Sequence, residues 1–388
     1  SIMIINHGKN AVNINMFKLV ILGNAANPHI QRWGTYFVKR KYDVHIISFH
    51  ESIMPGAKVH FIQPPKFLYI SPVTAFWRKV GYLLIILKIR RQIHILNPDI
   101  LHAHWATSYG LVGAISGYHP FIISTWGRDI FDSPKQSWIM KKIVEFNLSK
   151  ADSVTATSTI LQKETLKYTK NSRTVHYIPF GIDTKVFSPI IKLNKSEFIV
   201  IGTVKALEEK YGINVLINAF AQLRNNVRNI KLLIVGEGSL YNDLLKLVNE
   251  LGLTEFVTFA GFISNNEVIN YFHQMDIFVV PSISPSETFG VAAIEASACG
   301  IPVIASQIGG LPEVVKDHKT GFLITPGDVD TLAEKISELI TNPVLRTEMG
   351  KNGRQFILSR YTIEKCGSQM ESIYSKYTNK VSVKSHSR

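Results

Sequence analysis

Short apolar runs alternate with longer stretches of helical periodicity along this chain, and the alternation starts twice. In the first half, residues 17–23, 43–49, 100–103, 121–125, 153–157 and 174–178 read as buried strands, with helices between them at 31–40 and 136–150. The pattern restarts with strands at 198–203, 231–235, 257–260, 277–280, 303–306 and 321–324. Helices are interleaved at 212–224, 239–251, 265–273, 290–298 and 331–340. Strands joined through helices need right-handed crossovers, so each run predicts a parallel sheet covered on both faces. The expected fold class is α/β, with two doubly wound domains facing each other across a cleft and ligands beyond the carboxyl ends of the strands. Between the runs, Pro179 to Lys195 has the Pro, Gly and polar content of a linker. We expect an N-terminal extension at 1–15, before a second Met at position 16, and a first domain at 16–190. A second domain follows at 191–360, and then, at 361–388, a helix returning to the first domain and a tail.

The net charge is confined to one half. Residues 1–190 hold 23 Lys and Arg against 9 Asp and Glu, a net of +14, while the remaining 20 and 20 cancel. A basic half suits an anionic partner, whether nucleic acid, anionic lipid or a phosphorylated substrate. The stretch 67–96 sets Phe67, Tyr69, Phe76, Trp77 and Tyr82 among Arg78, Lys79, Lys88, Arg90 and Arg91. Such a helix either lies at a lipid interface or packs in the core with its basic edge in water. No run reaches the ~18 apolar residues of a membrane span. Zinc spacings, RNA-recognition signatures and repeats are absent, which argues against a nucleic-acid-binding module. Cys299 and Cys366 stand far apart and outside any metal spacing, which favours a reducing compartment and buried thiols.

The densest chemical signal runs from Pro281 to Glu295, where an apolar strand gives way to a loop and then a helix. Gly290 lets backbone approach a ligand, and a new helix N-terminus offers free N–H groups to a phosphate. Glu287 in the loop and Glu295 two turns into the helix can accept hydroxyls at two ends of one elongated ligand. A nucleotide sugar, with its ribose and its hexose, has such ends.

This segment, Ser286-Glu-Thr-Phe-Gly290 through Ile294-Glu295-Ala296, resembles the signature of the retaining family-4 glycosyltransferases of GT-B fold, which pair two Rossmann-like domains. Gly236-Glu-Gly238, Gly261-Phe262, Gly300-Ile-Pro302, Gly309-Gly-Leu-Pro-Glu313 and Gly321-Phe322 follow the family's order around it. The resemblance implies that Glu287 contacts sugar hydroxyls, Glu295 takes the ribose, and the Phe289, Gly290 and Val291 amides face sugar and phosphate. It implies that Lys205 and Lys210, five residues apart after Gly202, hold the donor pyrophosphate where the family usually has Arg then Lys. Lysine in the first place keeps the charge but loses the bidentate fork. Gly236, Gly238 and Phe262 are implied at the donor.

The first half departs from the pattern. Many relatives carry a His after the strand that here ends at Thr125, whereas this chain reads Trp126-Gly-Arg-Asp129. We expect Asp129 or Arg128 at the acceptor or reacting carbon, with Trp126 beside them, and His104 as a substrate-positioning or structural histidine. We also expect His102 and His104 to leave their strand on opposite faces, which argues against a metal site from that pair alone. His29 and Arg32, in a loop that replaces the usual double glycine, are expected to face phosphate or acceptor. No cofactor or metal is expected. The reading is a metal-independent retaining hexosyl- or hexosaminyltransferase, using a nucleotide sugar with UDP the expected base. Its acceptor is expected to be a glycan on a lipid-linked pyrophosphate, made for a surface polysaccharide at the cytoplasmic face of a membrane. The alternative on the same architecture is a sugar-nucleotide epimerase or a phosphorylase.

Overall fold

The computed structural model describes residues 17–63, 75–169, 174–191 and 197–384; the expected extension at 1–15 and the aromatic residues at 67–69 lie outside them. The first sheet comprises β1 (Lys18–Leu22), β2 (Asp43–Ser48), β3 (Lys58–Phe61), β4 (Ile100–His104), β5 (Phe121–Thr125), β6 (Ser153–Ala156) and β7 (Val175–Tyr177). All pairs are parallel, in the order β3-β2-β1-β4-β5-β6-β7. Leu19, Val20, Ile21 and Leu22 are fully buried, as a strand covered on both faces requires, and this is why it reads as a continuous apolar run. The edge strand β3 was not expected: its Lys-Val-His-Phe sequence is polar at alternate positions and none of its residues is buried. Around the sheet lie α1 (Pro28–Lys39), α2 (Ala75–Leu96), α3 (Ser108–Ser116), α4 (Arg128–Phe131), α5 (Ser133–Gln136), α6 (Trp138–Lys150) and α7 (Thr159–Leu166). Ile85, Ile89 and Ile93 of α2, Val112 of α3 and Val144 of α6 share one core layer; Trp33 and Phe37 of α1 belong to another.

The second sheet comprises β8 (Ile199–Val204), β9 (Ile230–Val235), β10 (Val257–Phe259), β11 (Ile277–Val280), β12 (Val303–Ser306) and β13 (Gly321–Ile324). It too is parallel, in the order β10-β9-β8-β11-β12-β13. Its helices are α8 (Ile213–Arg224), α9 (Tyr241–Glu250), α10 (Val268–Phe272), α11 (Val291–Ala298), α12 (Leu311–Val314), α13 (Val329–Thr341) and α14 (Pro343–Arg360). Strand order reverses between β1 and β4 in one sheet and between β8 and β11 in the other. Loops at such a switch point diverge and leave a crevice, so each domain presents one crevice at its carboxyl edge.

The last helix, α15 (Ile363–Lys384), leaves the second domain and packs on α1. Tyr36 donates to Glu371 at 2.9 Å, and Met370, Ile373 and Tyr374 complete the core around Trp33 and Phe37. The outgoing and returning chain segments pair side by side. Ile182 N donates to Tyr361 O at 3.0 Å and Ile363 N to Ile182 O at 2.9 Å. A Cβ on Gly181 would meet Ile363 Cα at 2.5 Å, so glycine permits this approach. Cys299 and Cys366 are free and buried, and no helix among the described residues is long and apolar enough to cross a membrane.

Candidate active site

The loops of both switch points converge on a cleft of about 370 Å³ between the domains. From the second domain, Lys205 follows β8, Lys210 and Tyr211 lie on the next turn, and Glu287 to Glu295 follow β11. From the first domain come His29 and Arg32 of α1, Trp105 after β4, Trp126 and Arg128 after β5, and Phe180 of the crossing segment. The cleft therefore gathers four cationic side chains and two carboxylates.

Glu287 is buried, with Lys205 Nζ at 2.5 Å and the Ser282 hydroxyl donating at 3.2 Å. Its loop is held by Gly309 and Gly310, whose Cβ atoms would meet Glu287 O at 2.0 Å and Thr288 O at 2.1 Å; Gly310 N donates to Glu287 O at 2.8 Å. Lys205 and Lys210 both lie over the Tyr211 ring, at 4.5 and 4.9 Å. Gly290, at φ +76°, is the N-cap of α11, so the first-turn amides of that helix open into the cleft. Glu295, one face further along α11, forms an ion pair with Arg32 of the first domain. The domains also meet where Thr288 Oγ1 donates to Trp126 O at 3.0 Å. A third contact lies at α7, where Glu313 accepts from Thr159 N at 2.9 Å and Ile160 N at 3.2 Å.

Beside the cleft, behind a wall of Trp105, Trp126 and Arg128, lies a second chamber of similar volume in the first domain. Asn24, His50, His104, Tyr109, Asp132 and Gln136 line it. Trp105 is held at φ +94°, a conformation that a bulky L residue adopts only when its surroundings enforce it. Here they do. Asp129 accepts from Ala106 N at 2.7 Å, Asn147 donates to Ala106 O at 2.8 Å, and Trp105 O accepts from Gly110 N at 3.0 Å.

Several expected sites move. Asp129 is fully buried and lines neither space; its carboxylate accepts from the amides of Ala106, Gly127 and Trp126. Burial raises its pKa, and those amides offset only part of the rise. It positions the two aromatic loops through those amides. Gly202 is a packing glycine, because a Cβ there would meet Met275 Sδ at 2.3 Å. Gly236 and Gly238 let their turn approach Lys205 O and Leu207 O, to 2.0 and 2.3 Å from a notional Cβ, and so support Lys205 without lining the cleft. Phe262 is 73% exposed and stands outside the cleft. Arg32 meets Glu295 where acceptor contact was expected, and exposed Arg128 pairs with Asp132 at 3.5 Å.

The histidines are neutral groups here. His29, stacked on Phe180 at 4.0 Å, has its pKa lowered to about 3, first by burial and then by the charge of Arg32, so it brings no cation to a phosphate. His104 is lowered to about 3 by burial, lines the chamber, and has no hydrogen-bond partner on either ring nitrogen among the described residues. His102 and His104 share one face, with ring centroids 4.1 Å apart; residues i and i+2 of a strand do so, and the opposite-face expectation overlooked that period. His102 is instead a satisfied core residue, bonded to Tyr374 at 2.6 Å and Ser124 at 2.8 Å. The Asp-x-Asp spacing at Asp328 and Asp330 is structural too. Asp328 caps α13 and Asp330 accepts from Gln222. Phe180, Tyr211 and Thr288 are cleft residues that the sequence reading missed, whereas Trp105, which closes the strand ending at His104, reaches the cleft as its place in the sequence leads one to expect.

Two parallel-sheet domains whose switch points face one another across such a cleft are the architecture of the GT-B fold. The sequence agrees. It matches the model of "Glycosyl transferases group 1" over residues 187–356 and that of "Glycosyl transferase 4-like" over residues 18–158. This chain belongs to the family-4 glycosyltransferases. It is 29% identical to the N-acetyl-alpha-D-glucosaminyl L-malate synthase of Bacillus anthracis, over 72% of this chain and 74% of that protein. It is also 29% identical to the capsular polysaccharide biosynthesis glycosyltransferase CapM of Staphylococcus aureus, over 94% and 98%. The fold is shared with the sucrose-phosphate synthase of Thermosynechococcus elongatus, at a TM-score of 0.79 and 22% identity over 93% and 98%.

Proposed function

We propose that this glycosyltransferase moves a hexose or N-acetylhexosamine from a nucleotide sugar, with UDP the expected base, to a glycan acceptor in surface polysaccharide synthesis. The observation that carries the reading is the charge pattern of the cleft, with Arg32, Arg128, Lys205 and Lys210 around two carboxylates. A diphosphate needs that surplus of positive charge, and the carboxylates suit hydroxyls. Glu295 takes the ribose: a carboxylate accepts several hydrogen bonds, so it can keep Arg32 while doing so. Glu287 takes the sugar. Lys205, Lys210 and the α11 amides meet the pyrophosphate as its charge develops, a preorganised field that needs no metal ion.

Retention follows the family's front-face route. The sugar–phosphate bond breaks, the acceptor oxygen bonds the anomeric carbon from the same face, and the departing phosphate oxygen takes the acceptor proton. Neutral His104 positions an acceptor hydroxyl from the chamber; a group of pKa about 3 is a poor base at neutral pH. The acceptor is a lipid-linked glycan reached from the cytoplasmic face of the membrane, which suits the basic first half. CapM, which is similar over nearly the whole chain, is named for capsular polysaccharide.

Thermal-shift titration with UDP, GDP and ADP in EDTA tests the donor. We expect one nucleotide to stabilise the protein, and Glu295→Ala or Lys210→Ala to abolish that shift. No shift with any nucleotide in folded protein would overturn the donor assignment. Free nucleotide released only when acceptor is present distinguishes transfer from epimerisation.

A further inference from the structure

The first domain carries an outward face that its packing leaves unused. Helix α6 buries Val144, Asn147 and Leu148 against the domain. On its other side Trp138 is 74% exposed, Ile139 52% and Phe146 41%. At 3.6 residues per turn, Trp138, Ile139, Lys142, Phe146 and Lys150 fall within an arc of about 120°. Isolated exposed apolar residues need no explanation, but three large ones on one stripe, interleaved with lysines, form a patch. Lys150 lies over the Phe146 ring at 5.6 Å, so charge and ring are presented together.

Helix α2 repeats the design. Four of its exposed positions, Leu87, Lys88, Arg91 and Ile95, fall within about 100°, with exposed Arg90 and His94 at the edge of that arc. Helix α3 contacts both α2 and α6, so the two stripes flank it in one layer. This layer lies on the half of the chain that holds the whole net charge of +14. The position of α6 adds a third observation. Asp132, Ser133 and Gln136, immediately before it, line the chamber behind Trp105, so the Trp138 end of α6 stands at that chamber's wall.

We propose that the outer faces of α6 and α2 dock on an anionic bilayer, with Trp138 and Ile139 entering the headgroup boundary beside the chamber. Aromatic and aliphatic side chains insert at such a boundary while lysines and arginines meet anionic headgroups. Docked this way, the chamber stands at the lipid surface, and a glycan held by its lipid reaches Trp105 without leaving the membrane. The placement of the chamber rests on the lipid-linked acceptor reading; the docking itself does not.

The test is flotation of the full chain with phosphatidylcholine vesicles, with and without 30% phosphatidylglycerol, in the absence of donor and acceptor. We expect binding to the anionic vesicles alone, weakened by salt. Lys142→Glu reverses one charge at the surface and is expected to lower partitioning about tenfold. Trp138→Ser with Ile139→Ser is expected to lower it by a similar factor. Both variants keep the nucleotide-induced thermal shift, which shows that they fold. Wild-type protein that ignores anionic vesicles, or variants that bind as well as wild type, would overturn the proposal. A dimer in solution that Trp138→Ser dissolves, without vesicle binding, assigns the face to a second copy and overturns it as well. Failure of the acceptor reading shows differently, as equal turnover by wild type and both variants on a lipid-anchored acceptor in vesicles, with vesicle binding still lost in the variants.

Discussion

Arg32 offers the sharpest single perturbation, because it ties Glu295 of one domain to the other. Its guanidinium pairs with Glu295 and lies 5.4 Å from the Phe187 ring, and the two charged side chains are 18% and 9% exposed. Removing one partner of a fully buried ion pair costs about 3–5 kcal/mol, because the other charge is stranded. Here the cleft admits some water, so Arg32→Ala should cost about 2 kcal/mol. That loss falls on closure. When the domains part, Glu295 is hydrated and neither core is disturbed, so the open state is not penalised. Two kcal/mol is about 30-fold in the closure equilibrium. The assay is a donor–acceptor dye pair, one dye on each domain, read with and without nucleotide, beside the KM for donor and the thermal unfolding midpoint. We expect a more open resting state, a raised KM and a midpoint shifted by only a degree or two, with Arg32→Lys intermediate. If Arg32→Ala instead tightens nucleotide binding at unchanged closure, Arg32 is a competitor for Glu295 and the argument fails.

Glu287→Ala and Lys210→Ala should each lower kcat by about two orders of magnitude, the range for losing one preorganised transition-state contact, as measured in saturating donor; near-normal turnover in both refutes their roles. Asp129→Asn replaces an acceptor with a donor facing amides, so chemical denaturation should report about 2–3 kcal/mol of lost stability, and a kcat loss at full stability would restore it as a catalytic group. Buried His102 and His104 have pKa values below their unfolded value near 6.5, so the folded state holds fewer protons than the unfolded chain and stability falls as pH drops below it. Urea unfolding at pH 5 should show a loss of about 2 kcal/mol for each relative to pH 7.5, and His104→Phe should remove one share.

The second half of the active site was legible because it is local. Glu287, Gly290 and Glu295 lie in one strand–loop–helix segment whose spacing already sets their geometry. The twelve strands expected from apolar runs are present, whereas β3 was hidden by polar residues that suit an edge. The first-domain side was harder to read for a physical reason. Whether a residue such as Asp129 does chemistry depends on which amides take its lone pairs, and those belong to Ala106 and Trp126, in different loops. Glycine is visible in a sequence, but not the atom it makes room for; Gly202 serves Met275, and Gly236 serves Lys205. The strained backbone of Trp105 gave no signal, because Asp129 and Asn147, which hold the next residue, lie far along the chain.

The returning helix α15 sets an order on synthesis. Domains made early usually fold while the ribosome is still extending the chain. Here the strands around Leu19 and the face of α1 that holds Trp33 and Phe37 emerge before the second domain, yet Met370, Ile373 and Tyr374, which cover them, emerge only after it. The nascent first domain must therefore hold an apolar face open while the whole second domain is translated. A permuted gene encoding 363–384 ahead of residue 17 would close that face at once, and should give a nascent chain that needs less help from chaperones.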